Sequence, residues 1–272
     1  MDGSGKVTLD FSLAEKMHAE GTLLFLAELK RLLRHVKGEV EIDCILPHNN
    51  KVAQVLKQVG VLDLLGVTAP IVPVDHDVVN WKAAHGTQVL GEKYDDILQQ
   101  YDGDIAELLQ DKLYTGITEA MTNVINHAYD FSRDDGLNVA PMKEWWMFSQ
   151  QQHGHLTIVF CDLGAGIPRT LPMKRPGVWR RIVNLGRTSD SDVIRHAVED
   201  SVSRTMKDYR GKGLGQIVRV VSGITGATVN IFSNRGVHSV KCGVKPQSVT
   251  YSDSILGTLI YWRIPLPVKE AA

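Results

Sequence analysis

Between Glu119 and Gly215, three short segments carry residue types that can do chemistry together. Glu119 and Asn123 are four positions apart, a spacing that puts two side chains on one helix face. There an amide oxygen can ligate magnesium while the carboxylate polarises a water. His127 continues that face. Asp162-Leu-Gly164-Ala-Gly166 follows the apolar run 157–161, so the acid emerges at a strand end. It can accept the exocyclic amino proton of adenine, and the glycines let the backbone approach a purine with no Cβ in the way. Gly211-Lys212-Gly213-Leu-Gly215 opens a helical pattern, and so offers backbone N–H groups and a mobile cation to phosphate oxygens. Each segment also has a plain reading, as a solvated helix face, a tight turn and a flexible hinge. In this order they make a set able to hold a magnesium nucleotide, and Mg-ATP is the first expectation.

Those residues need elements to position them. A long helical pattern over 104–129, with Leu108, Leu113, Ile117, Ala120, Met121 and Val124 at apolar positions, carries Glu119 and Asn123. Strands are expected over 144–149 and 155–161, the second delivering Asp162. The stretch 167–210 is long, rich in glycine, proline and charge, and holds one helical pattern over 191–202. A long connection inside a compact domain is usually functional. Its basic Lys174-Arg175 and Arg180-Arg181 read as a solvated face. A helix over 215–223 and strands over 228–232, 238–244 and 258–264 then close a sheet. The glycine segment is neither a Walker A sequence, lacking GK[ST] at the proper spacing, nor a Rossmann fingerprint, since loop rather than strand precedes it.

The first 75 residues alternate between a strand over 6–11, a helix over 20–36, a strand over 39–46 and a helix over 50–65. Pro70 and Pro73 end the pattern. The organisation expected is a small α/β domain over 1–75, a connector over 76–103 and an α/β nucleotide domain over 104–272.

The 272 residues, 43% hydrophobic and 22% charged, have the make-up of a soluble globular protein with a substantial core. A net charge of -1 gives no global reason to expect nucleic-acid or anionic-membrane binding. Cys44, Cys161 and Cys242 are odd in number and widely spaced, which suggests neither a disulfide framework nor a zinc site and fits a reducing cytoplasm. No apolar run approaches the ~20 residues of a spanning helix, and the amino terminus lacks a signal-peptide pattern.

The ordered series of Glu119-x-x-x-Asn123 helix, Asp162-x-Gly164-x-Gly166 turn, variable stretch, Gly211-x-Gly213-x-Gly215 helix start and Gly257-Thr258 leading into a last strand resembles the GHKL ATP-binding family of gyrase, large chaperones, histidine kinases and mismatch-repair ATPases. The likeness covers about 104–268. It implies an α/β sandwich with helices over one face of a mixed sheet, Asp162 on adenine, Asn123 on magnesium, Thr258 near the base, and 167–210 as the ATP lid. Glu119 would serve as base for water in hydrolysing members, or for a protein hydroxyl in serine-kinase members. Arg204, Arg210 and Lys212 would sense the terminal phosphate. Val7-Thr-Leu-Asp10-Phe-Ser12 and Met17-His-Ala19-Glu20-Gly21 resemble the STAS domain of anti-sigma-factor antagonists. That family places a phosphorylatable hydroxyl just before the glycine; here Ala19-Glu20 has none, so the likeness implies a docking or scaffolding role. The partner implied is a protein, of STAS-like or sigma-factor-like kind. Dimers are common in such proteins, although no interface is legible in the sequence.

Overall fold

The computed structural model describes residues 5–36, 38–89, 107–137, 142–205 and 213–266, with 107–108 and 204–205 described by their backbone alone. The chain is an α/β protein built around one large sheet. Strand β1 (Gly5–Asp10), helix α1 (Ala19–Val36) and strand β2 (Val40–Ile45) come first, followed by α2 (Asn50–Gln58), α3 (Val61–Leu64), α4 (His76–Val79) and β3 (Lys82–Gly86). Helix α5 (Glu107–Asn123) runs into one π-helical turn, Val124–Ala128, before β4 (Trp145–Gln152) and β5 (His155–Asp162). Next come α6 (Ile167–Lys174), α7 (Pro176–Asn184), α8 (Asp190–Thr205) and α9 (Gly213–Arg219). The described chain ends with β6 (Thr228–Ser233), β7 (Gly236–Lys241), β8 (Gln247–Thr250) and β9 (Thr258–Pro265).

The large sheet has the order β3-β4-β5-β9-β6-β7-β8. Every adjacent pair in it is antiparallel, where a mixed sheet was expected. The parallel pair lies elsewhere, in the small β1-β2 sheet. Successive side chains on a strand point to opposite faces, and both faces of the central strands β4, β5 and β9 are dry. Met147, Ile158, Phe160, Ile260 and Trp262 pack with α5, α8 and α9 on one side. Trp146, Phe148, Val159, Cys161 and Leu259 pack with α1 and α2 on the other. That double burial explains the unbroken Trp145-Trp-Met-Phe148 run, which would alternate if one face met water.

The amino-terminal residues are therefore a layer sharing its core with the sheet, not the self-contained domain expected over 1–75. Leu23 and Ala27 of α1 are wholly buried and Leu26 almost so, and a buried Leu contributes roughly 1.5–3 kcal/mol. Ion pairs stitch α1 to the loop after the π turn: Arg31 to Asp135 (2.5 Å), Arg34 to Glu144 (2.5 Å) and Arg133 to Glu28. The expected connector also contributes, since β3 is an edge strand of the large sheet.

Two further expectations change. The helix over 50–65 is broken at Gly60, whose φ of 81° lies in the left-handed region. The stretch read as loop with one helix is three helices, α6, α7 and α8, closed over a small core of Leu171, Val178, Ile182, Val193 and Ala197. Pro168 and Pro176, in the stretch noted for its proline content, stand in the first turns of α6 and α7, where a missing N–H costs nothing.

Candidate nucleotide site

Glu119 and Asn123 occupy the last two turns of α5, and the chain then widens into the π turn that carries Asn126 and His127. Such turns are frequent at functional sites. Gly213, the first residue of α9, lies against both side chains: a Cβ there would sit 3.3 Å from Glu119 Oε1 and 3.8 Å from Asn123 Oδ1. Gly215 is equally constrained, because its N–H donates to Ser201 Oγ (2.9 Å) and a Cβ would press on the α8 backbone. Glu119 is half-buried, and burial holds its carboxyl above the usual range.

Asp162 is the last residue of β5, paired in register with Thr258, the first residue of β9. Its side chain is buried, and desolvation pushes its pKa up to about 6, against hydrogen bonds from the Gly164 N–H (2.9 Å to Oδ1) and from Thr258 that favour the ionised form. The turn after it is clamped. Ala165 N–H donates to Ala128 O at the end of the π turn (2.8 Å), and any Cβ on Gly164 would overlap that carbonyl. Tyr129 accepts from Leu163 N–H and donates to Glu144 O.

A cavity of about 380 Å³ joins these parts; Asn123, His127, Asp162, Gly166, Gly213 and Thr258 all border it, over an apolar floor that includes Phe160, Ile217 and Ile260. Ligand pockets commonly hold roughly 300–1,000 Å³ with few polar groups on apolar walls. Asn123, the Asp162 turn and the glycine start of α9 are thus brought together, while Glu119 lies against Gly213 without bordering the cavity. Gly211 and Lys212 lie outside the described residues, as do Arg210 and the side chain of Arg204.

Four contributors were not read from the sequence. Lys174 and Arg175, taken for a solvated face, border the cavity at the end of α6, with Lys174 paired to Asp130 (2.5 Å). His127 is held below its usual pKa by burial and by Lys174. Asn234, at a φ of 50°, donates to Ala165 O (3.0 Å) and accepts from Gly257 N–H (3.3 Å), so one turn side chain ties the Asp162 loop to the start of β9. Ser233 Oγ accepts from Ile167 N–H (2.8 Å) and lies 3.1 Å from Thr258 Oγ1. Nothing in the local sequence of the Asn234-Arg-Gly turn shows that its side chain reaches across to another loop.

Among the described residues Asn123 Nδ2 is buried without a hydrogen-bond partner, a desolvation cost that a ligand bringing its own polar atoms would offset. Among the described residues no three His, Cys, Asp or Glu side chains cluster to hold a metal. A cation here would need Asn123 plus oxygens brought by a ligand or water, which suits magnesium bound with phosphates. No described helix is long and apolar enough to cross a membrane. Comparison with protein-family models and with curated proteins found no match for this chain.

Proposed function

We propose that this chain is a cytoplasmic regulatory protein of the GHKL type, binding Mg-ATP in the cavity between α5, α6 and α9 and using nucleotide state, with slow hydrolysis, to switch its hold on a protein partner. The observation that carries the reading is that one cavity collects Asn123, the Asp162–Gly166 turn, Gly213 and Thr258 from four separate stretches of sequence. In this reading Asp162 accepts the N–H of the base amine, with the Thr258 hydroxyl beside it, and Asn123 helps to hold magnesium. The bound nucleotide supplies the phosphoryl group. Glu119, its carboxyl raised by burial, takes a proton from an attacking water. Helices α6 and α8 border the cavity through Lys174, Arg175 and Ser201, so a ligand there meets the lid helices directly.

Phosphoryl transfer within the chain is disfavoured: Ala19 and Glu20 open α1, which packs on the far face of the sheet. A hydroxyl acceptor, if used, belongs to the partner, and label transfer from γ-labelled ATP to co-purified protein would reveal it. The decisive test is titration calorimetry with ATP and magnesium. Wild type binds at pH 7 and Asp162→Asn does not; equal binding by both, or by neither, overturns the reading. Because Asp162 must be ionised to accept the amine proton, affinity should also fall as pH drops below about 6, by up to about tenfold per pH unit.

A further inference from the structure

β1 and β2 form a parallel sheet of only two strands, whereas parallel strands are ordinarily buried within larger sheets. Five of the six β1 residues are exposed, and among the described residues β2 is the one strand paired with β1. The direction of its free groups can be read from the end of the ladder. Phe11 N–H donates to Ile45 O at 3.0 Å, and peptide groups alternate sides along a strand. The odd-numbered residues therefore face β2, and Lys6, Thr8 and Asp10 direct their N–H and C=O groups to the open edge.

We propose that this edge pairs antiparallel with the same edge of a second copy of the chain, about a two-fold axis at Thr8, to give a four-stranded sheet β2-β1-β1-β2. A two-fold interface must be self-complementary, and the sequence Lys6-Val-Thr-Leu-Asp10 is so in this register alone. Thr8 faces Thr8 of the second copy, and Lys6 faces Asp10 of the second copy, each pair exchanging both backbone hydrogen bonds. Between them Val7, 48% exposed, meets Leu9 of the second copy at the closer cross-strand spacing. Lys6 already bridges to Asp43 (2.6 Å), so the charge ladder continues across the axis. Moving the axis to Val7 sets Lys6 against Thr8 and leaves Asp10 beyond the strand. Centred on Ile42, the outer edge of β2 would instead set Glu41 against Asp43 of the other copy, a repulsive pair.

Light scattering on the full chain across a dilution series tests the interface. Wild type should show twice the 30.1 kDa chain mass at high concentration and dissociate on dilution. Thr8→Pro should stay at the monomer mass with unchanged circular dichroism and melting, since it removes an outward N–H from an edge strand that tolerates proline. A wild type that is monomeric throughout, or a Thr8→Pro chain that is still dimeric, overturns the proposal. Should Thr8→Pro fold poorly, Thr8→Cys decides: a short bis-maleimide should join it to itself in high yield. Leu13→Cys, 87% exposed but off the axis, and the wild type with its native cysteines should not cross-link. Equal yields at positions 8 and 13 would refute the axis. The proposal stands or falls independently of nucleotide binding.

Discussion

Asp162 concentrates the tension between folding and function at the level of a single side chain. A carboxyl with a folded pKa of about 6 against an ordinary 3.8 keeps its proton in the folded state over a window where the unfolded chain has lost it. Its contribution to stability is therefore full at low pH, declines as pH rises from about 4 to about 6, and then stays at its lowest. That cost is roughly 3 kcal/mol at neutral pH. Asp162→Asn, which keeps an oxygen for the Gly164 N–H, should raise the melting temperature of the ligand-free protein at pH 7 while leaving it unchanged near pH 4. No stabilisation in denaturant melts at pH 7 would show that the carboxyl is not desolvated as described. The residue at this position was legible because Asp before two glycines at a strand end is a local pattern; its burial was not, since Thr258, which bonds it, comes from β9, far along the chain.

At the scale of elements, the π turn and the Asp162 turn form one unit. The Ala128 carbonyl sits where a side chain on residue 164 would have to go, so Gly164→Ala must push two loops apart. Overpacking of this kind costs about 1–3 kcal/mol, read as a lower denaturation midpoint. Gly21→Ala is the matched control: it lies inside α1 with nothing within 4 Å of its would-be Cβ, and should stabilise by roughly 0.5–1 kcal/mol. A Gly164→Ala midpoint equal to wild type would mean that the two turns are not in contact. The helix carrying Glu119 and Asn123 was legible from its apolar period. Helices α6 and α7 were harder, because Pro168 and Pro176 act oppositely at a helix start and in its interior, and only the neighbouring chain decides which applies.

Taken whole, the molecule is three layers: the amino-terminal helices, the antiparallel sheet and the helices around the cavity. Because the α1 layer and the sheet share a core, damage on the far side should reach the site. Leu23, wholly buried in α1, packs in the cluster that contains Val159 and Cys161 of β5, the strand that delivers Asp162. Leu23→Ala should cost about 2–5 kcal/mol, and tryptophan fluorescence and far-UV circular dichroism should report one shared transition. Two separate transitions would restore the independent amino-terminal domain.

The sequence by itself determined which residues could form a site and which local elements carry them, because side-chain chemistry, glycine turns and the helical period are properties of a few neighbouring residues. Glu119, Asn123, Asp162 and the glycines around them were singled out as candidates that way, and the α/β character of the chain was legible too. Tertiary structure alone decided that the sheet is antiparallel, that α1 covers its second face, that Lys174, Arg175, Ser233 and Asn234 belong to the site, and that β1 keeps an open edge. Each of these depends on contacts between segments far apart in the chain, whose partners leave no mark in the local pattern of either. The three segments between Glu119 and Gly215 suggested a chemistry; the fold gathers Asn123, Asp162, Gly166 and Gly213 from them around one cavity.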